Sequence, residues 1–380
     1  MKTIKFGIIG CGLMGKEFAS AVARWCHLAD APAKPEIIAV CDTNADAADW
    51  FTTALPTITQ VTNDYKALLA NDDVDAVYCA VPHNLHAKLY CDIIEAGKHL
   101  LGEKPFGIDL AANEKISACI ADHPDVLVRC SSEFPFFPAV QRIGQLVDER
   151  AFGQILEVSS GFLHSSDLNF NKPINWKRMI AFNGEYGCMG DLGMHACHVP
   201  FRAGFKPLDV RAVLSNIVPT RPDKEGNTVP CETWDNATLL CRAVDKVSGD
   251  TFPWTVKTQR IAPGETNTWY VEIKGTTACA RFNTKNPRLL ELLQYDGTGD
   301  QVWGQIDMGY TPAFKTVTGG IFEFGFSDGI LQMWASFVAE LAGAEMPRFA
   351  QCVTPEEAAL SHRLFTAALA SEANGTTESV

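Results

Sequence analysis

Apolar and polar positions follow two different patterns along this chain, and the change falls near Leu127. Before it, short runs that are apolar throughout alternate with stretches whose apolar residues recur at helical spacing. Strands that are apolar on both faces and separated by helices predict a parallel sheet covered on both sides. After Leu127, strand-like segments follow one another with few helices between them, which predicts a mostly antiparallel sheet with one open face.

We therefore predict an α/β chain with a doubly wound Rossmann domain over 1–127 and an α+β domain over 128–380. The second domain is expected to be built on a large, mostly antiparallel, open-faced sheet, and the length of 380 residues is typical of two domains. A capping box at Thr354 and Glu357 begins a closing helix over 355–374, and packing of this helix back on the first domain is an open alternative. The polar stretch 219–232 is predicted to be a surface loop.

Composition and charge exclude several classes of function. The net charge of −13 argues against nucleic acid or an anionic membrane as a partner, because both require a basic surface. The apolar runs are too short and interrupted to span a membrane. The 13 cysteines are odd in number and scattered, which favours reduced thiols and a cytoplasmic protein. Cys188, His195, Cys197 and His198 lack the spacing of a zinc site, so no metal is expected.

A glycine-rich loop follows the first predicted strand. Gly10, Gly12 and Gly15 form a G-x-G-x-x-G pattern, with Leu13 and Met14 inside it, and a helical pattern begins directly afterwards. In that context the glycines allow a tight turn and bring backbone N–H groups to a pyrophosphate. The loop predicts a dinucleotide site, although a plain strand–helix turn is the simpler alternative.

Asp42 ends the second predicted strand in "VCDTN". A carboxylate at this position can accept hydrogen bonds from both hydroxyls of an adenosine ribose and would repel a 2′-phosphate. Because no arginine follows it, NAD is favoured over NADP as the cofactor. A helix-capping aspartate is the alternative.

Two further strands end in polar residues at the edge where open parallel sheets bind their ligands. Pro82, Asn84 and His86 follow one strand, although a histidine there more often packs against the loop than acts in catalysis. Glu103 and Lys104 follow the next strand, directly before a proline that biases the lysine toward extended geometry. A lysine so placed can donate to a substrate oxygen, and a solvated surface lysine is the equal alternative.

Asp191 and His195 are four residues apart in "GDLGMH" and share one face if the segment is helical. A carboxylate beside a histidine orients the ring and supports its charged form, as proton transfer requires. The alternative is a buried core histidine near a helix-capping aspartate.

Taken in this order, the glycine loop, "VPHNLH", "EKP" and "GDLGMH" resemble the Gfo/Idh/MocA oxidoreductases, the family of glucose–fructose oxidoreductase and inositol dehydrogenase. The resemblance extends over nearly the whole chain. It implies a Rossmann domain, an open-faced sheet used for substrate binding and oligomerisation, and a tightly held nicotinamide cofactor. The substrates it implies are sugars, cyclitols or their derivatives, and the assembly it implies is a homodimer or homotetramer.

The resemblance also implies roles for individual residues. Lys104 matches the active-site lysine of the family, Asp191 its substrate-binding aspartate and His195 its acid–base histidine. Trp176 and Lys177, in "INWKRM", are expected to flank the nicotinamide or the substrate. Pro82 and His86 fall on the nicotinamide-side loop of the family.

One departure from the family pattern bears on the substrate. His198 stands where many members have aspartate, so a carboxylate that binds a substrate hydroxyl is missing from that position.

The function expected from these residues is hydride transfer between nicotinamide and a secondary alcohol carbon of a sugar-like substrate. His195 would remove the hydroxyl proton, Lys104 would stabilise the developing alkoxide, and Asp191 would hold the substrate and tune His195. Redox-neutral glycoside cleavage or epimerisation through a transient keto-sugar needs the same residues and remains an alternative. A nucleotide-binding sensor without turnover is the second alternative.

Overall fold

The computed structural model describes residues 2–309 and 311–380, and it divides the chain into two compact units. The first unit contains residues 1–107, 111–137 and 310–355. The second contains residues 108–110, 138–309 and 356–380.

The strands, in chain order, are β1 Lys2–Ile9, β2 Ala33–Cys41, β3 Gln60–Thr62, β4 Ala76–Cys79, β5 His99–Gly102, β6 Val128–Cys130, β7 Ile155–Leu163, β8 Phe205–Ser215, β9 Thr220–Pro222, β10 Thr228–Pro230, β11 Asn236–Asp245, β12 Thr251–Gln259, β13 Thr268–Gly275, β14 Ala278–Asn283, β15 Leu289–Gln294, β16 Gly304–Asp307 and β17 Glu378–Ser379. The α-helices are α1 Leu13–Ala23, α2 Asp49–Ala54, α3 Tyr65–Leu69, α4 His86–Glu95, α5 Leu110–Asp122, α6 Pro138–Asp148, α7 Ile180–Asn183, α8 Met194–Arg202, α9 Phe326–Leu341 and α10 Pro355–Asn374.

The sheet of the first unit has the order β3-β2-β1-β4-β5-β6, and each pair of neighbours is parallel. Its strands are buried because helices cover both faces, as their continuous apolar runs require. The strand order reverses between β1 and β4, and ligands of such sheets bind beyond the carboxyl ends of the strands at that point. The predicted doubly wound fold is confirmed.

Helix α9 belongs to the first unit. Trp334 and Phe337 from this helix pack against Phe6 of β1, with a Phe6–Trp334 centroid distance of 4.7 Å. The helix is apolar on nearly every side, which is typical of a helix buried in a core. The predicted boundary at 127/128 therefore differs from the observed division, since residues 128–137 and 310–355 group with the first unit.

The second unit is built on a sheet of order β16-β15-β14-β13-β7-β12-β11-β8-β17. Its neighbouring strands are antiparallel except for β7 and β12, which are parallel. Side chains alternate between buried and exposed along β8 and β11, so one face packs into a core and the other is accessible within the unit. The mostly antiparallel sheet predicted for this region is confirmed.

Two segments differ from the sequence expectation. The stretch 219–232 contains β9 and β10, which pair as a small antiparallel hairpin rather than forming an irregular loop. Pro35 lies inside β2 opposite Ile4, although proline is uncommon within strands because it lacks a backbone N–H. Because β3 pairs with β2 only at Ala39–Cys41, the missing N–H of Pro35 costs no ladder hydrogen bond on that side.

Candidate functional site

The glycine loop lies where β1 ends and α1 begins, at the point where the strand order reverses. Gly10 has a φ of +100°, and a Cβ atom there would lie 2.2 Å from the carbonyl oxygen of Ala80, just beyond β4. A Cβ on Gly15 would lie 2.2 Å from the carbonyl oxygen of Gly10. The tight turn thus requires glycine at both positions.

The third glycine of the pattern has a different environment. A Cβ on Gly12 would meet no atom of the described residues within 4 Å, so this glycine leaves space above the loop. Gly12 precedes α1, and within the described chain no side chain caps this helix and no acidic residue lies in its first turn. Uncapped N–H groups at a helix N-terminus attract anions, and Leu13, 83% exposed, and the half-buried Met14 lie at this end.

Asp42 lies directly after β2 and links the glycine loop to the turn that follows β2. Its carboxylate accepts hydrogen bonds from the backbone N–H of Cys11 at 2.8 Å and from that of Asn44 at 2.8 Å. Each carboxylate oxygen retains a further lone pair for a ribose hydroxyl. Its position beside the glycine loop is the one that ribose binding requires.

The residues after β4 brace the loop that follows β5. His86 is buried at the start of α4, with Nε2 3.0 Å from the carbonyl oxygen of Val81 and Nδ1 accepting from the N–H of Gly107 at 3.4 Å. Both ring nitrogens are therefore engaged by backbone groups, as expected for a histidine that packs against a loop. Pro82 is half-buried and Asn84 is exposed in the turn that precedes it.

Glu103 and Lys104 follow β5. Glu103 is buried and accepts a hydrogen bond from Tyr78 at 2.7 Å, while its carbonyl oxygen accepts one from Tyr90 at 2.7 Å. The half-buried Lys104 precedes a cis peptide bond to Pro105. Two tyrosines thus hold the side chain and backbone of Glu103 in place directly before Lys104.

Glu133, which the sequence did not single out, is a second carboxyl group near Lys104. Its pKa is raised to about 8, mainly by burial; the charge of Glu103 also raises this pKa and the charge of Lys104 lowers it. Its only signal in the sequence is a charged residue in the apolar stretch "CSSEFPFF".

The remaining predicted residues belong to the second unit, where the structure brings Asp191 and Lys177 together. Asp191 lies in a π-helical turn, Met189–Gly193, that runs into α8, and such turns are frequent at functional sites. Lys177 Nζ donates to its two carboxylate oxygens at 2.9 and 3.2 Å and lies 5.6 Å from the centre of the Trp176 ring. Arg260 forms a second ion pair with the same carboxylate.

His195 and His198 lie on α8. His195 is 5% exposed, and its ring packs edge-on against Phe162 at 5.4 Å. Its carbonyl oxygen accepts from Trp269 Nε1 at 2.6 Å. His198 is fully buried, and within the described residues neither of its ring nitrogens has a hydrogen-bond partner. Burial, aided by Arg202 and His195, moves the pKa of His198 well below its usual value, so this histidine is neutral.

Sequence reasoning missed Arg260 and Asp167. Both are buried, and Arg260 Nε donates to the Asp167 carboxylate at 3.0 Å. They follow β12 and β7, whose parallel pairing brings these distant residues together. The sequence does show a charged residue shortly after each of these strands. It does not show that the two strands pair, so the contact could not be predicted.

Each unit thus has one candidate site. The first has a glycine loop that suits a nucleotide, and the second has the buried ion pairs of Asp191 with Lys177 and Arg260. Residues 4–129 match a family model described as an oxidoreductase family with an NAD-binding Rossmann fold. This match to the first third of the chain supports an NAD-binding oxidoreductase similar to the Gfo/Idh/MocA family.

Two known relatives and one solved structure are also similar to this chain. The chain is 26% identical over 301 residues to levoglucosan dehydrogenase of Pseudarthrobacter phenanthrenivorans, covering 74% of each chain. It is 31% identical over 159 residues to dTDP-3,4-didehydro-2,6-dideoxy-alpha-D-glucose 3-reductase of Actinomadura kijaniata, covering 42% of this chain and 45% of the relative. A structure of levoglucosan dehydrogenase in complex with NADH and L-sorbose superposes with a TM-score of 0.86 at 22% identity, covering 100% of this chain and 99% of the other, which shows the fold.

The residues of the first unit fit an NAD-type cofactor. The open space at Gly12 and the uncapped start of α1 suit a pyrophosphate, and Asp42 suits a ribose. The predicted cofactor is thus the one that the family binds. Within the described residues, no helix combines the length and apolar composition needed to cross a bilayer.

Proposed function

We propose that this protein is an NAD-dependent dehydrogenase that oxidises a secondary alcohol carbon of a sugar, cyclitol or sugar derivative. The observation that carries the proposal is the cradle formed by Gly10, Gly12 and Asp42 within the NAD-binding family fold. The likeness to a levoglucosan dehydrogenase over 74% of the chain supports a sugar-like substrate. The carboxylate of Asp42 favours NAD over NADP because it would repel a 2′-phosphate.

Each group of the chain has a distinct part in this proposal. Bound NAD supplies the hydride acceptor. His195 removes the proton of the substrate hydroxyl, and Lys104 donates a hydrogen bond to the oxygen as negative charge develops on it. Asp191, paired with Lys177 and Arg260, is an ionised acceptor for the other hydroxyls of the substrate. Trp176 contributes an apolar ring beside Lys177.

A substrate panel tests the proposal. The purified protein is mixed with NAD or NADP and with aldoses, cyclitols, anhydrosugars and glycosides, and the absorbance of reduced nicotinamide is followed. We expect reduction with at least one sugar-like alcohol, and faster with NAD than with NADP. Sugar cleavage or epimerisation without net reduction would favour the redox-neutral alternative. Cofactor binding with no turnover of any compound would favour the sensor and contradict the proposal.

A further inference from the structure

The parallel strands β7 and β12 end side by side, and the chain beyond each end is tied to the other. Gln259 pairs with Leu163, and the N–H of His164 donates to the carbonyl oxygen of Gln259 at 2.7 Å. Further on, the N–H of Asp167 donates to the carbonyl oxygen of Arg260 at 3.0 Å. The backbones of Asp167 and Arg260 are therefore fixed relative to one another before their side chains interact.

The side chain of Arg260 bridges two buried carboxylates. Its Nε donates to Asp167 at 3.0 Å, its Nη1 donates to Asp191, and its Nη2 donates to the hydroxyl of Ser166 at 3.2 Å. Arg260 is 5% exposed, Asp191 1% and Asp167 0%. A planar guanidinium that contacts three groups in this way fixes the orientation of each of them.

The charges in this cluster depend on one another. Burial lowers the pKa of Arg260, but Asp191 and Asp167 outweigh burial and raise the pKa above its usual value. Burial likewise raises the pKa of Asp167, but the charge and hydrogen bond of Arg260, together with the charges of Arg221 and Lys172, outweigh burial and lower this pKa. The charged or titratable groups around Arg260 are Asp167, Lys172, Lys177, Cys188, Asp191 and Arg221.

Lys177 is the most exposed of the three residues that meet at the Asp191 carboxylate. Its side chain is 32% exposed, whereas the side chains of Asp191 and Arg260 are 1% and 6% exposed. Lys177 and Arg260 share the Asp191 carboxylate, so Arg260 determines how much of that negative charge is left for Lys177.

We propose that Arg260, anchored by Asp167, is a positioning residue that holds Asp191 as an oriented anion and thereby places the Lys177 ammonium as a substrate-facing donor. This assignment rests on the proposed function for its substrate. Its electrostatic part concerns the second unit alone and can be tested without a substrate. If Arg260 did not act on Lys177 through Asp191, replacing Arg260 would leave the titration of Lys177 unchanged.

The first test measures that titration directly. Lysines are reductively methylated with ¹³C-formaldehyde, the Lys177 resonance is assigned with Lys177→Arg, and its pH midpoint is followed by NMR. In Arg260→Met we expect the midpoint to rise by roughly 0.5–1 pH unit, because a neighbouring positive charge is lost and Asp191 pairs with Lys177 alone. In Asp167→Asn we expect the Lys177 midpoint to fall. A negative charge is lost from the cluster, and Arg260 then pairs with Asp191 alone.

Two further variants make this test decisive. Arg260→Lys restores the positive charge and should return the midpoint toward that of the unaltered protein. Arg202→Met removes a buried arginine that pairs with Glu357 in the same unit, and we expect the Lys177 midpoint to stay unchanged in this variant. If Arg260→Met folds and its Lys177 midpoint is unchanged, the proposal is overturned. If Arg260→Met does not fold, an unchanged midpoint in Asp167→Asn overturns the proposal instead.

The second test uses a substrate found in the panel. We expect Arg260→Met to raise KM by roughly tenfold or more and to move the acid limb of the kcat/KM profile to higher pH, because Asp191 loses a cation that favours its ionised form. Arg260→Lys should partly restore both KM and the position of the acid limb. Arg202→Met should leave the pH profile of kcat/KM unchanged. An unmoved acid limb in Arg260→Met would contradict the assignment. If the unaltered protein turns over no substrate, the proposed function fails, while the NMR test still decides the role of Arg260.

Discussion

At the scale of single residues, Gly10 and Gly12 lie in the same loop but in different surroundings. The Cβ of an alanine at Gly10 would overlap the carbonyl oxygen of Ala80, whereas at Gly12 it would enter open space. The fold of the loop therefore requires glycine at position 10, whereas Gly12 leaves open space beside the loop.

This difference predicts opposite results for two alanine variants. Gly10→Ala should lower the unfolding temperature, because both its φ of +100° and the contact with Ala80 are unfavourable for alanine. Gly12→Ala should keep the unfolding temperature and weaken NADH binding, measured by fluorescence titration. Unchanged NADH affinity in a folded Gly12→Ala protein would contradict the cradle.

The titration of Glu133 makes the free energy of unfolding depend on pH, and a single substitution can test this contribution. The pKa of this carboxyl group is raised to about 8 by burial, from an ordinary value of 4.5. Between these values the folded protein holds a proton that the unfolded chain releases, so the free energy of unfolding decreases as pH rises through this range.

In Glu133→Gln this dependence should disappear. We expect the variant to gain stability relative to the unaltered protein as pH rises from about 5 to 8, with a slope of up to about 1.4 kcal/mol per pH unit. Denaturant unfolding at several pH values measures the difference. Glu149→Gln, at a half-exposed surface pair, is the control and should show a parallel curve. A parallel curve for Glu133→Gln as well would show that the carboxyl group is ionised in the folded state.

How far the site could be predicted also depends on the residue. The glycine loop and "EKP" could each be predicted because all residues of the motif lie within one short segment. Arg260 and Asp167 could not, since they are 93 positions apart and meet only through the pairing of β7 with β12.

At the scale of elements, continuous apolar runs predicted the long strands of the first unit, whereas β3 and β6 are too short to give a pattern. Helix α9 lies within 128–380, the predicted second domain, although it packs in the first unit. Periodicity reports that a helix is buried and does not report which sheet it covers, so its partner could not be read from the sequence.

The packing of α9 predicts where its stability contribution lies. Trp334→Ala should lower the free energy of unfolding of the first unit by about 3–5 kcal/mol, because a fully buried ring against Phe6 and Phe18 is lost. Trp50→Ala removes a tryptophan that is 38% exposed in the same unit and should cost much less. Similar losses in both variants, measured by denaturant unfolding, would contradict this packing.

At the scale of the whole molecule, the accessible sheet face of the second unit presents apolar side chains. Val213 on β8 is 60% exposed and Leu240 on β11 is 54% exposed, both on the face opposite the core. We propose that this face joins copies of the chain into a homodimer or homotetramer, because exposed apolar surface on a sheet is stabilised by a partner.

Light scattering coupled to size-exclusion chromatography tests this proposal. We expect a mass of two or four chains, and Leu240→Asp should shift it toward the single chain of 41.5 kDa, because a charge would be buried in the contact. Val247→Asp, at a residue 71% exposed in the turn after β11, is the control and should keep the assembly. A single-chain mass for the unaltered protein would contradict the proposal.

The central claim is that the protein moves a hydride from a secondary alcohol carbon to NAD. The most direct test uses the best substrate of the panel carrying deuterium on that carbon, with mass spectrometry of the reduced cofactor. The account predicts one deuterium in the NADH formed, a slower rate than with the unlabelled substrate, and loss of turnover by a factor of about 10²–10⁴ in His195→Asn while NADH still binds. Reduced cofactor without deuterium, or full turnover in His195→Asn, would contradict it.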